Sequence, residues 1–199
     1  ANLNYETGKI TGAEALCRWD HDQLGFLYPS DFITVLEESG LIYDLDCFVW
    51  DKVCQDLHRW NEQGIRRSVS VNVSRCDIRE DRDIPGQFSR LIQKYGITPD
   101  QLRIEITETA FAENPDLLIS NTNKLRELGF QVEMDDFGSG YSSLHMLKEV
   151  PVDRIKLDLH FLTSSGDQKK SRTIVGCMIQ MVELLEMKMI AEGVETVEQ

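Results

Sequence analysis

Leu102-Arg103-Ile104-Glu105-Ile106-Thr107 alternates apolar with polar residues, the period-two pattern of a β-strand with two unlike faces. The same parity sets Val69, Val71 and Val73 against Ser70 and Asn72, and Ile155 and Leu157 against Lys156 and Asp158. Working outward, the strand-like runs are Ile10 to Arg18, Ser68 to Ser74, Leu102 to Thr107, Phe130 to Asp135, Arg154 to Asp158 and Met187 to Glu192. Helical periods separate them. Ile42, Leu45, Val49, Val53, Leu57 and Trp60 recur every three or four residues, as do Ile84, Phe88, Leu91 and Tyr95. Asn114 before Pro115 suits a helix start, and Gly64, Gly96 and Gly129 suit helix ends. A last helix is predicted from about Lys170 to Glu186, with Ile174, Met178, Met181, Val182 and Leu185 facing inward.

Strands alternating with helices imply right-handed crossovers and a parallel sheet, either open and doubly wound or closed as a barrel. Parallel strands covered by helices on both faces read as continuous apolar runs, and these do not. In a barrel the apolar set would face the helices and the polar set would point into the interior. Buried charge is expensive unless it is paired or bound to metal. The polar residues also come late in each strand: Glu14, Asn72, Glu105, Asp135 with Asp136, Lys156 with Asp158, and Glu192. Active sites of (β/α) barrels lie at that C-terminal rim. Any one of these residues would pass for the solvated face of an antiparallel sheet or for a helix-capping acid. Repetition over six strands argues against that reading.

Carboxylate and amide oxygens are hard donors, suited to Mg²⁺, Mn²⁺ or Ca²⁺ rather than to zinc. His21, His58, His145 and His160 stand apart and form no zinc pattern. The adjacent Asp135 and Asp136 can serve two cations, the arrangement that polarises a phosphate and activates water for phosphoester hydrolysis. Asp136-Phe137-Gly138 resembles the kinase Asp-Phe-Gly segment, but neither a glycine-rich nucleotide loop nor a His-Arg-Asp loop accompanies it. Gly138, Ser139 and Gly140 suit a loop with unusual backbone angles.

The 199 residues, 41% hydrophobic and 28% charged, are enough for one globular core, so a single domain over 1–199 is expected. No run of about 18 apolar residues is present to suggest a membrane span. The five cysteines, Cys17, Cys47, Cys54, Cys76 and Cys177, are scattered and odd in number, which predicts reduced, mostly buried thiols and a cytoplasmic setting. A net charge of −13 argues against DNA, RNA polymers or an anionic membrane surface as partners, although bound cations would still admit a phosphate ligand. Ala1 at the start suggests a piece of a longer chain.

Glu14-Ala15-Leu16 with Arg18-Trp19, Ser70-Val71-Asn72-Val73-Ser74, Glu105-Ile106-Thr107-Glu108, Asp135-Asp136-Phe137-Gly138, Lys156-Leu157-Asp158 and Ala191-Glu192-Gly193-Val194-Glu195 closely resemble the EAL-domain cyclic di-GMP phosphodiesterases in order and spacing. The resemblance spans nearly the whole chain. It implies an α/β fold, a modified (β/α)8 TIM-type barrel, here lacking the family's first and last strands at its two ends. It implies a hydrolase that opens cyclic di-GMP to linear pGpG with Mg²⁺ or Mn²⁺, two ions per site, Ca²⁺ being inhibitory, and so terminates a bacterial second-messenger signal.

By matching positions, Glu14, Asn72, Glu105 and Asp135 resemble ligands of the first metal, and Asp135, Asp136 and Glu192 ligands of the second, with Glu192 also the general-base candidate. Lys156 would stabilise developing charge, and Asp158 would brace it. Arg18 and Leu16 would contact substrate. Glu108 and Glu195 would support the loop of Gly138, Ser139 and Gly140, which in the family couples catalysis to a homodimer. An adjoining sensor or diguanylate cyclase domain is expected. Cys17 and His160 depart from the commoner family residues. A receptor that binds cyclic di-GMP without turnover is the competing reading. An enolase-type metal enzyme on a barrel leaves the combined segments unexplained.

Overall fold

A computed structural model describes residues 1–138, 143–158 and 168–194. In chain order the elements are β1 (Asn2–Leu3), β2 (Ile10–Glu14), β3 (Trp19–His21), β4 (Gly25–Leu27), α1 (Pro29–Ser39), α2 (Ile42–Glu62), β5 (Val69–Val73), α3 (Ile84–Tyr95), β6 (Leu102–Thr107), α4 (Glu108–Glu113), α5 (Pro115–Glu127), β7 (Gln131–Asp135), α6 (Ser143–Glu149), β8 (Arg154–Asp158), α7 (Gln168–Leu184) and β9 (Lys188–Glu192). One sheet holds seven strands in the order β1-β2-β5-β6-β7-β8-β9, antiparallel between β1 and β2 and parallel throughout the rest.

Lys156 shows how strongly this sheet curls. In a flat sheet β8 would lie four strand spacings, about 19 Å, from β2. The Lys156 ammonium nevertheless sits 3.2 Å from a carboxylate oxygen of Glu14 on β2 and 3.0 Å from one of Glu192 on β9. The strands therefore wrap into a nearly closed barrel with the helices outside, the closed form of the two sheet arrangements that the alternation allowed.

Strand parity divides the residues as the sequence implied. Val71, Ile104, Val132 and Ile155 face outward into the helix layer, where Trp50, Leu57, Phe88, Leu118 and Leu125 are buried against them. Trp50 and Phe88 meet at a tilt with ring centroids 4.6 Å apart, and Phe88 meets Phe130 at 5.9 Å. The opposite faces of the same strands carry Arg103, Glu105, Glu133 and Lys156, all buried as well. Helix α2 is also pinned to the interior strands by Trp50, whose indole N–H donates to the Asn72 carbonyl at 2.9 Å.

Several boundaries differ from the sequence reading. The first long strand ends at Glu14, and Trp19–His21 pairs instead with Gly25–Leu27 as a separate antiparallel hairpin. Helix α1 opens on Pro29, with the Asp31 carboxylate accepting from the Tyr28 N–H at 2.7 Å, and closes on Gly40 in the left-handed region. In α7 the residues that pack against the core are Val175, Met178, Met181 and Val182, whereas Ile174 is 48% exposed although it shares the angular sector of Met178 and Met181. Leu185, beyond the helix end, is 47% exposed. All five cysteines are free, yet only Cys54 is buried and Cys177 is exposed.

Outside the barrel, Asp46 on α2 shares a hydrogen bond with the buried Asp77, and burial together with that contact pushes the Asp46 carboxyl up to about 9. A carboxyl raised above its ordinary value binds its proton more tightly in the fold. Its contribution is complete below about pH 4 and is lost as pH climbs toward 9, at no more than about 1.4 kcal/mol per pH unit for one proton. Asp46→Asn should therefore raise the melting temperature at pH 8–9 and leave it unchanged near pH 4. A variant whose curve stays parallel to that of the parent protein would exclude the shared proton.

Candidate active site

The inward polar residues converge at the C-terminal ends of the parallel strands. Glu14 ends β2, Asn72 lies one residue before the end of β5, Glu105 sits on β6, Asp135 ends β7, Lys156 and Asp158 lie on β8, and Glu192 ends β9. Register brings Asn72 beside Glu105 and Asp158 beside Glu192. The Asn72 amide donates to Glu14 Oε1 at 3.1 Å.

Lys156 is the hub. Its Nζ stands 3.2 Å from Glu14, 3.0 Å from Glu105, 2.9 Å from Asp135 and 3.0 Å from Glu192, and its side chain is 2% exposed. Burial alone would lower its pKa, but Glu105, Asp135 and Glu14 outweigh it and hold the ammonium charged well above the ordinary lysine range. Four carboxylates against one ammonium still leave an excess of negative charge. Burial therefore raises the Glu105 carboxyl to about 8, Lys156 opposing and Glu14 adding to the shift. Glu192 is raised by burial against the pull of Lys156, and Asp136 by burial and by its neighbour Asp135.

Divalent cations fit this arrangement. Oxygens of Glu14, Glu105 and Asp135 lie within 4.8 Å of one another, and the buried Oε1 of Glu105 has no hydrogen-bond partner among the described residues. A buried acceptor without a donor is costly unless something else satisfies it. Hard oxygens around excess negative charge select a hard cation.

Asp136 leaves β7 with φ +53°, a left-handed turn that aspartate tolerates better than most residues, and the Phe137 N–H that follows donates to the Lys156 carbonyl at 3.1 Å. Gly138 continues the turn at φ +97°, a conformation that favours glycine. Asp158 is half-buried at the end of β8, and Glu108 is buried at the first turn of α4. Leu16 and Arg18 are not drawn into the cluster. Both are exposed beyond β2, where Arg18 donates to the Cys17 carbonyl at 2.7 Å and lies 5.7 Å from the Tyr28 ring centroid. Ser139, Gly140, Glu195 and His160 lie outside the described residues.

The sequence reading passed over Glu133 and Arg154, which share the interior with the cluster. Glu133 is fully buried, 3.6 Å from Arg103 and 3.4 Å from Arg154. The signal was present: both occupy the inward parity of strands already identified.

An acid-rimmed α/β barrel with a buried lysine at its centre defines a candidate hydrolytic site. The sequence model of the EAL domain family matches residues 3–199, and the chain belongs to that family. It is 36% identical over 189 residues to the cyclic di-GMP phosphodiesterase PdeR of Escherichia coli (strain K12), covering 95% of this chain and 28% of that protein. A cyclic di-GMP phosphodiesterase of Pseudomonas aeruginosa is 34% identical over 194 residues, 98% of this chain and 33% of the relative. The chain thus spans about a third or less of the length of these relatives. The solved structure of the PaMucR phosphodiesterase in complex with c-di-GMP superposes with a TM-score of 0.90 at 29% identity, over 99% of this chain and 80% of that one.

The raised Glu105 carboxyl would make any metal binding there pH-dependent. A cation that takes Glu105 must displace its proton, so Mn²⁺ affinity should climb from pH 6 to pH 8, by up to about tenfold per unit, and level off above. Calorimetric titration in two buffers of different ionisation heat counts the released proton. Glu105→Gln should weaken binding and flatten the pH dependence, and affinity independent of pH in the unmutated protein would refute the assignment.

Proposed function

We propose that this domain hydrolyses cyclic di-GMP to linear pGpG. The observation that carries the reading is the buried ammonium of Lys156 among Glu14, Glu105, Asp135 and Glu192 at the strand ends of an EAL-family barrel. Relatives named for this activity and a neighbour solved with c-di-GMP support the choice of substrate.

Glu14, Asn72, Glu105 and Asp135 would hold one Mg²⁺ or Mn²⁺, and Asp135, Asp136 and Glu192 a second. Such ions supply Lewis-acid polarisation of the phosphate and a lowered pKa for water. Glu192, at the end of β9 and 3.0 Å from Lys156, would accept a proton from attacking water. Lys156 presents a fixed positive charge where negative charge grows on the phosphorus oxygens, with no reorganisation needed at that moment. Asp158 lies in register with Glu192 and helps fix the orientation of the pair. Arg18 and Leu16, exposed beyond the rim, are available to the outer parts of a dinucleotide. The family resemblance would make Gly138, Ser139 and Gly140 a loop supported by Glu108 and Glu195. We further propose a homodimer, within a longer signalling protein in the cytoplasm. Among the described residues no helix is long and apolar enough to cross a membrane.

Incubation with cyclic di-GMP and Mg²⁺ or Mn²⁺ should yield pGpG, resolved by chromatography. Glu14→Ala and Asp135→Ala should each lower the rate by more than about 100-fold, beyond the 10–100-fold typical of losing an outer partner of a metal ligand. Ca²⁺ should support little turnover, because its looser coordination positions water less strictly. Tight binding of the dinucleotide without cleavage would make the domain a receptor instead.

A further inference from the structure

Three consecutive strands carry a second charged residue two positions below a rim residue, on the same inward face. Arg103 lies below Glu105 on β6, Glu133 below Asp135 on β7, and Arg154 below Lys156 on β8. Two residues of strand are about 6.6 Å, close enough for charge to be felt in an interior that screens poorly. Glu133 stands in register between Glu105 on one side and Arg154 on the other.

The layer is closed off from solvent. Glu133 is 0% exposed, with Arg103 at 7% and Arg154 at 14%. Their closest approaches of 3.6 and 3.4 Å are long, and both Glu133 oxygens and the Nε of each arginine lack a hydrogen-bond partner among the described residues. The outer ends of the guanidinium groups are anchored elsewhere, Arg154 on the Gln131 side-chain oxygen at 3.0 Å and Arg103 on the Thr11 carbonyl at 3.5 Å. Gly12 makes room for this, since a Cβ there would lie 2.9 Å from the Ser68 carbonyl oxygen and 3.1 Å from Arg103 Nη1.

We propose that Glu133, Arg103 and Arg154 form a buried charge layer that sets the divalent-cation affinity of the rim above it, Glu133 strengthening the pull on a cation and the two arginines opposing it. The three are positioning residues that touch neither metal nor substrate. The inference rests on the metal reading of Glu14, Glu105 and Asp135.

The test is direct binding of Mn²⁺ to the full chain, followed by the paramagnetic resonance of the free ion, with circular dichroism to establish folding. Glu133→Gln keeps the shape and removes the charge, and should raise the Mn²⁺ dissociation constant about tenfold. Arg154→Met removes an opposing charge and should lower it several-fold. The double variant should return to within about twofold of the parent protein, which a merely structural role would not produce. If Glu133→Gln fails to fold, Arg154→Met and the double variant carry the test. Tight binding by the parent protein with unchanged binding in the folded variants overturns this proposal alone, as does weakening by Arg154→Met. Absence of Mn²⁺ binding to the parent protein overturns the metal reading and this proposal with it.

Discussion

A primary ammonium enclosed by carboxylates organises this barrel. Lys156 comes from β8, and its partners come from β2, β6, β7 and β9, so one side chain ties strands that are far apart in the order of the sheet. Burying such a group is unfavourable unless partners surround it, and surrounding it requires the sheet to curl. Closure of the barrel and assembly of the site are in that sense one event. The same geometry leaves the carboxylates in excess of the ammonium they surround.

The strands were legible because their two faces differ chemically. In β6, Leu102, Ile104 and Ile106 pack outward while Arg103 and Glu105 turn in, and both sets are buried. A conventional parallel strand with apolar residues on both faces would have left the direction of the interior unstated. What escaped notice were helices α1, α4 and α6 and short strands whose sequence carries no period. The hairpin of Trp19–His21 and Gly25–Leu27 has three residues per strand, too few to distinguish from a loop, and β1 has two. The helical period also groups Ile174 with Met178 and Met181 on α7, yet Ile174 is exposed.

The rim of the site was legible for a related reason. Glu14, Glu105, Asp135 and Glu192 each stand where an apolar residue would be the cheaper choice, and their recurrence at strand ends marked them together. Arg103, Glu133 and Arg154 obey the same parity but lie earlier in their strands, where charge usually signals a solvated end. Their burial depends on the third dimension: the barrel closes over them only once β2 and β9 have come around. Leu16 and Arg18 show the converse, since a family motif assigns them a role while their fold neighbours leave them in solvent.

The left-handed turn at Asp136 constrains how this position can vary. Aspartate, asparagine and glycine occupy φ +53° at modest cost, whereas alanine or a β-branched residue would be strained there. Drift at this position is therefore channelled: asparagine erases the charge while preserving the bend, but most other replacements also disturb the chain path. Because the next peptide is bonded to the Lys156 carbonyl, such a disturbance would reach the strand that carries the central ammonium. An alanine scan here reports on backbone and charge together, and only the asparagine exchange separates them.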